Sequence, residues 1–391
     1  MEIIKGKFTE AKVFADDMED YARAQLKMIC DDPVSEGSAI RVMPDVHPGK
    51  VGTIGLTMTV GERIIPHLLG IDIGCGMTCA AIKERRIEFQ KLDKVIRECI
   101  PSGFQIRKKA HYMADCYDME RLHCHKHIHQ DKAALSLGTL GGGNHFIEVD
   151  RDEDGKLYII IHTGSRHLGK EVTDHYVDTG VKALKEKGVD VPYPMTWLKG
   201  ELMEDYIADV SAVQEYAQLN RDIILTEILK GMKLKETERF SSVHNYIEVT
   251  EHERIVLTGK ETSLGENVLP ETRILRKGAI SAREGERVII PINMRDGVIL
   301  GTGKGNFDWN ESAPHGSGRS MRRDEVKNHY TVSVFKNEMK GIYCSCIGAD
   351  TLDEAPFAYR PIDRLIENIE ETVEVTHILR PIYNFKAGGK A

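Results

Sequence analysis

Two spacings of apolar residues divide this chain. Short apolar runs punctuated by Gly and Pro occupy residues 39–60, as in Ile40-Arg41-Val42-Met43-Pro44-Asp45-Val46-His47-Pro48-Gly49, and predict strands joined by tight loops. Residues 146–149 and 157–162 predict two more strands, each abutting a glycine-rich loop, and residues 254–304 return to β-rich character. Helical spacing takes over between residues 170 and 234, where Val210, Val213 and Ala217 recur with Tyr216, Leu219 and Ile223 beside them. That stretch predicts a helical hairpin broken near Pro192 and Pro194, its apolar stripe read as plain core packing. A short strand and a helix over 17–30 open the chain, residues 86–130 read as charged and mostly helical, and a last helix over 362–373 precedes a terminal strand over 375–385. With no internal repeat and no long Pro/Ser/Gly linker, the expected fold class is α/β: a single domain with mixed sheets and a helical-hairpin insertion over 170–235.

Composition narrows the function. The 391 residues are 41% hydrophobic and 29% charged, ordinary for a globular protein able to bury a large core. Lys and Arg total 53 against 61 Asp and Glu, a net charge of −8, which argues against a surface that binds polyanions everywhere and confines such binding to local patches. Arg107-Lys108-Lys109 reads as a solvated helix face, whereas Arg319, Arg322 and Arg323 form a second cluster. Eight scattered cysteines and a start without a secretory pattern point to the reducing cytoplasm. No apolar run approaches the roughly 20 residues of a membrane span, so no membrane partner is expected.

The candidate chemistry begins at Ile71-Asp72-Ile73-Gly74-Cys75-Gly76, a glycine-rich turn that offers a carboxylate and a thiol three residues apart. Alone, it is equally a strand-to-loop turn with a buried acid and an inert cysteine. Histidines in similar settings shift the balance: His145 after Gly141-Gly142-Gly143-Asn144, His162 before Thr163-Gly164-Ser165-Arg166, His244 in Val243-His244-Asn245-Tyr246, and His315 in Ala313-Pro314-His315-Gly316-Ser317-Gly318-Arg319. One carboxylate, one thiolate and three imidazoles suit a divalent transition metal of borderline softness, and a thiolate can bridge two such ions. The glycine loops expose N–H groups able to cradle phosphate oxygens, and Arg166 and Arg319 add forked donors that match phosphate geometry. His123, His125, His127 and His129 would share one face of a strand and could bind zinc, but a solvated, histidine-rich segment is the preferred account. Cys344-Ser345-Cys346 is too tight for a zinc knuckle and reads as buried filler, and Asp353, Glu354 and the run from Glu367 to Glu374 read as a solvated helix face.

Taken in order, Met43-Pro44-Asp45-Val46-His47, the 72–76 turn, 138–148, 162–166, 244–246, Arg276-Lys277-Gly278-Ala279, 315–319 and Lys386 resemble the RtcB-type RNA ligases over nearly the whole chain. The resemblance implies an RtcB-like α/β domain around a dinuclear metal site, with two manganese ions on Asp72, Cys75, His145, His162 and His244, Cys75 bridging. It implies GTP as co-substrate, contacted by Asn144, His145, Phe146, Ile147, Glu148, His244, Asn245, Pro291, Ile292, Asn293, Met294, His315, Gly316, Ser317, Gly318 and Lys386. His315 would be the nucleophile that takes GMP and passes it to an RNA 3′-phosphate (a 2′,3′-cyclic end being opened first), after which a 5′-hydroxyl displaces GMP and seals the strand. Such ends arise in tRNA splicing and RNA repair. Arg166 and Arg319, with Arg322 and Arg323, are candidates for RNA phosphates, and Tyr359 for a nucleotide contact or a plain position ahead of a helix.

One segment departs from the commoner family pattern: Pro291-Ile292-Asn293-Met294-Arg295-Asp296-Gly297 stands where many members have Pro-Gly-Ser-Met-Gly-Thr, with Val298 in place of a later serine. The expectation is that Asn293 still bonds a phosphate or ribose and that guanine preference is open to change. Two other functions compete, a dinuclear-metal phosphoesterase in which His315 is only an acid or phosphate contact, and a non-catalytic binder of RNA ends.

Overall fold

The run Leu157-Tyr158-Ile159-Ile160-Ile161-His162-Thr163 is a strand buried at every position, as a β-branched run covered on both faces must be. Side chains alternate between two cores. Ile159 and Ile161 meet Ile147, Val149 and the helix residues Ile224, Leu225 and Ile228, while Tyr158 and Ile160 meet Met77, Cys79 and Phe146. This strand pairs with Gly76–Ile82 on one side and Phe146–Arg151 on the other, aligning Met77, His162 and Phe146 across the sheet.

The computed structural model describes residues 1–250 and 272–387. Its larger sheet has seven strands in the order Glu236–Val243, Gly76–Ile82, Leu157–Thr163, Phe146–Arg151, Val373–Lys386, Gly297–Gly303, Arg287–Asn293. A six-stranded sheet runs Glu2–Lys5, Glu10–Val13, Ile40–Pro48, Thr53–Thr59, Thr272–Lys277, Asn245–Thr250. Glu10–Val13 lies parallel to Ile40–Pro48, so this sheet is mixed. The helices His167–Glu186 and Glu201–Met232, joined through the turn Tyr193–Met195, pack on each other, and the longer one crosses the back of the larger sheet. None of the described helices is long and apolar enough to cross a membrane.

Three expectations about elements change. Between residues 86 and 130 the α-helices are Phe89–Cys99 and the start of Gln130–Ser136; short 3-10 turns lie between. There the backbone bonds to distant side chains instead of forming a helical ladder: the N–H groups of His123 and Cys124 donate to Asp209 at 2.7 and 3.1 Å. The final helix stops at Ile369, because Val373 already pairs with Gly303 and opens the strand Val373–Lys386. The first helix starts at Asp20. Of the 254–304 region, residues 254–271 lie outside the described residues, and the remainder is strand-rich as expected.

Candidate functional site

The turn at 72–75 is pressed against the long helix. Gly74 takes φ +72°, and a Cβ there would fall 2.8 Å from Gln214 Cα and Ala217 Cβ, so only glycine brings the turn this close. Cys75 then enters the sheet beside His162. Its Sγ lies 3.4 Å from His162 Nε2 and 3.5 Å from His145 Nε2. His162 Nε2 is 3.4 Å from His244 Nε2, and His145 Nε2 is 3.5 Å from Asp72 Oδ2.

These atoms form two overlapping donor groups, Cys75–His162–His244 and Asp72–Cys75–His145, each within 4.8 Å, and Cys75 belongs to both. Donors around a tetrahedral cation at ~2.0–2.3 Å stand roughly 3.3–3.8 Å apart, so the spacing fits metal ions. The tautomers fit as well. Nδ1 of His145 faces the Leu140 carbonyl at 3.0 Å and Nδ1 of His162 faces that of Asn144 at 3.1 Å. Each Nδ1 must therefore carry the hydrogen, leaving the Nε2 lone pair turned into the cluster.

Burial, with the neighbouring histidines, pushes His162 and His244 well below the ordinary imidazole range, so both are neutral donors at neutral pH. Burial and the Asp72 charge push the Cys75 thiol well up. Burial also raises the Asp72 carboxyl, but the hydrogen bond and charge of His145 outweigh it and leave Asp72 lowered.

His315 sits next to this cluster, its ring centroid 5.0 Å from that of His244. Asp45, buried at 2% exposure, accepts from His315 Nδ1 at 2.6 Å and from the His315 backbone N–H at 3.2 Å through the same Oδ2. With Nδ1–H committed to Asp45, Nε2 keeps a free lone pair. Gly318, at φ +73°, makes the approach possible: a Cβ there would lie 3.1 Å from Asp45 Cα.

A cavity opens over His315 and His162. Its lining includes Asn144, Phe146, Glu148, Pro291, Ile292, Asn293, Met294, Gly316, Ser317, Gly318 and Lys386, which are expected nucleotide residues. His47, Gly297, Arg319, Arg323, Tyr359 and Asn384 line it too. The parity of the strand separates Ile147 from its neighbours. Phe146 and Glu148 face the cavity, whereas Ile147 points into the core beneath the long helix. Asn245 is a brace outside the cavity: its Oδ1 accepts from the Gly278 N–H at 2.9 Å and its Nδ2 donates to the Asp72 carbonyl at 3.2 Å.

Asn293 spends its side chain on its own turn, with Oδ1 accepting from the N–H groups of Arg295 and Asp296 and Nδ2 donating to Asp296 at 2.8 Å. Val298 is fully buried among Met77, Ile160 and Leu379, away from the cavity.

Beside the cavity, Glu354 reverses an expectation. It is 2% exposed rather than part of a solvated face. It pairs with Lys386 and Arg323 and accepts from the Tyr359 hydroxyl at 2.7 Å. Burial alone would raise its carboxyl, but the charges of Lys386 and Arg323 hold it down to about 2. Glu148 and Asp150 form a second acidic pair on the cavity side of their strand. Burial and the Asp150 charge raise Glu148, whereas burial alone raises Asp150, to about 7, against a hydrogen bond with Glu148 that lowers it.

The arginines divide. Arg319 lines the cavity while donating to the carbonyls of Met321 at 3.0 Å and Asp353 at 2.6 Å. Arg166, at φ +57°, donates to Thr139 Oγ1 at 3.1 Å and the Gly103 carbonyl at 2.8 Å, and opens into a separate cavity with Phe104, Lys132 and His167. Arg322 is exposed and pairs with Glu325 of its own helix at 2.8 Å. The histidines of 123–129 do not share a strand face: a 3-10 turn over His125–His127 disperses them, with His129 on Glu171, His123 on Asp205 and His127 stacked on His175. Cys344 and Cys346 are only partly buried, with their Sγ atoms 3.1 Å apart.

Among the site residues that sequence reasoning did not assign are two buried acids, Asp45 and Glu354. Asp45 lay inside a quoted motif, yet its partner is 270 positions away. Nothing local marks Glu354 as buried.

Known proteins match this chain along most of its length. A family model described as tRNA-splicing ligase RtcB matches residues 25–126 and 109–387. The RNA-splicing ligase RtcB of Escherichia coli K12 is 30% identical over 376 residues, covering 88% of each chain. RNA-splicing ligase RtcB1 of a second E. coli strain is 30% identical over 388 residues with the same coverage. The tRNA-splicing ligase RtcB of Archaeoglobus fulgidus is 27% identical over 403 residues, covering 83% of this chain and 82% of its own. The chain belongs to the RtcB family.

Proposed function

We propose that this protein is a GTP-dependent RNA ligase that joins a 3′-phosphate or 2′,3′-cyclic phosphate end to a 5′-hydroxyl end. The names of its relatives, RNA-splicing and tRNA-splicing ligases, support the substrate class. The observation that carries the chemistry is the pairing of His315 with Asp45 beside a donor cluster that shares Cys75. A histidine whose Nδ1–H is held by a buried carboxylate presents Nε2 as a nucleophile, which a phosphoesterase working through bound water would not need.

In this reading Nε2 of His315 bonds to the α-phosphorus of GTP, the bond to the pyrophosphate oxygen breaks, and pyrophosphate leaves. Asp45 keeps the Nδ1 proton and offsets the positive charge that develops on the ring. Asp72, Cys75, His145, His162 and His244 would hold two divalent cations, manganese in this account, which would neutralise phosphate charge. Gly316, Gly318 and Lys386 line the cavity that would take the nucleotide, while the Ser317 N–H is committed to the Pro291 carbonyl at 3.1 Å. An RNA 3′-phosphate oxygen then displaces His315 from phosphorus, and a 5′-hydroxyl attacks the activated 3′-phosphorus with GMP departing. Arg319 and Arg323 lie on the cavity wall and suit the RNA phosphate, while Arg166 would meet the strand further out. The setting is tRNA splicing or RNA repair, in the cytoplasm.

The test is to incubate the protein with manganese, GTP and two RNAs carrying 3′-phosphate and 5′-hydroxyl ends. A joined product that requires GTP supports the ligase. Phosphate release from the 3′ end without joining would support the phosphoesterase, and binding without either would support the non-catalytic reading.

A further inference from the structure

Besides Asp209, the long helix Glu201–Met232 carries two adjacent fully buried polar side chains, Asn220 and Arg221, on a stretch whose other buried residues are mostly apolar. Each reaches out of the helix to backbone that bears the metal-site donors. Arg221 Nη1 donates to the carbonyl of Gly74 at 2.9 Å and to that of Thr163 at 2.8 Å. Gly74 immediately precedes Cys75, and Thr163 immediately follows His162. One nitrogen therefore ties together the two segments whose side chains stand 3.4 Å apart in the cluster.

Asn220 works on the third segment. Its Oδ1 accepts from the N–H groups of Gly138 and Thr139 at 2.7 and 3.0 Å, and its Nδ2 donates to the carbonyls of Thr139 and Gly164, both at 3.1 Å. The next residue, Leu140, supplies the carbonyl that fixes His145 Nδ1 and also accepts from Thr163 Oγ1 at 2.7 Å. The amide is fully used, with two acceptances and two donations.

Core packing does not account for this pair. Burying a guanidinium is costly, and a helix that needed only to fill space would place leucine or isoleucine there, as it does at Ile224 and Ile228. Arg221 retains a buried Nε with no hydrogen-bond partner, so its placement is not optimised for its own satisfaction.

We infer that Asn220 and Arg221 are positioning residues of the metal centre, setting the separation of the backbone segments that carry Cys75, His162 and His145. The helical segment is then part of the site rather than an accessory packed on it. This rests on the proposal that the cluster holds metal, and the test separates the two.

The experiment is cobalt(II) titration of the full-length protein, read by thiolate-to-cobalt charge-transfer absorbance, with thermal midpoints recorded in parallel. Arg221→Lys keeps a cation but loses the fork, and Asn220→Asp keeps the acceptor but loses both donations. Ile228→Ala weakens the same helix without touching the donor segments. Both polar variants should raise the cobalt Kd by about 10- to 100-fold and reduce absorbance per bound cobalt, the scale expected for groups that orient ligands. Ile228→Ala should lower the thermal midpoint and leave the Kd unchanged. Folded polar variants with wild-type Kd and spectrum would overturn the inference, as would a Kd that rises equally in Ile228→Ala. If Arg221→Lys does not fold, Asn220→Asp decides by the same criterion. Failure of the wild type to bind cobalt would overturn the metal proposal itself, and this inference with it.

Discussion

Replacing Asp45 with asparagine isolates one charge. The same Oδ2 accepts from both the ring Nδ1 and the backbone N–H of His315, at 2.6 and 3.2 Å, so an amide oxygen can occupy that position and preserve the tautomer. What Asp45→Asn removes is the negative charge facing a ring that becomes cationic when Nε2 bonds to phosphorus. With charge centres roughly 4 Å apart and an effective dielectric near 20, that charge contributes about 4 kcal/mol to the transition state. The rate of His315 guanylylation should therefore fall on the order of 10³-fold. Single-turnover transfer from α-labelled GTP, quenched in denaturant and followed on gels, measures it directly. Cobalt or manganese affinity should be unchanged, because Asp45 is not among the clustered donors. A guanylylation rate within about threefold of wild type would refute the charge argument, and a large loss of metal affinity would move Asp45 into the metal site.

Metal uptake at neutral pH should release at least one proton, that of the raised Cys75 thiol, with Asp72 already ionised and His162 and His244 already neutral. Calorimetry in buffers of different ionisation enthalpy counts it, and release near zero would contradict the assigned states. Val298→Ser should cost roughly 1–3 kcal/mol of stability by burying a hydroxyl while leaving nucleotide preference unchanged, since Val298 faces the core; a shift in preference among nucleotides would show the cavity wall is wrongly drawn. Glu354 has a folded value near 2, below its ordinary 4.5, so its stabilising contribution is present above about 4.5 and is lost as pH falls towards 2. Thermal midpoints of Glu354→Gln should accordingly fall less steeply over that window than those of wild type, and parallel slopes would contradict the pairing.

The sequence carried the site further than the fold. Asp72 and Cys75 share one turn, and His145 and His162 stand beside glycine loops at strand ends, so the donor types were visible before their meeting was. Their meeting depends on sheet register, Met77 opposite His162 and His162 opposite Phe146, which no local spacing encodes. Residues 112–129 read as helical from their charge, but their backbone is held by Asp209 of another helix, a long-range bond that composition does not reveal. The family resemblance put Ile147 among the nucleotide residues, and strand parity turned it the other way. Glu354 looked solvated beside Asp353 until the terminal strand brought Lys386 against it. Asn220 and Arg221 were hidden for a different reason: an apolar stripe dominated the helix, and two polar residues within it gave no hint of what they reach.

The central claim is that His315 becomes covalently bonded to GMP. The protein should be incubated with GTP and manganese, denatured, digested at neutral to alkaline pH where a phosphorus–nitrogen bond survives, and its peptides sequenced by mass spectrometry. The account predicts the added mass of one GMP on His315 and none in His315→Ala. A wild-type protein that stays unmodified under conditions in which it joins RNA, or that carries GMP on another residue, would contradict it.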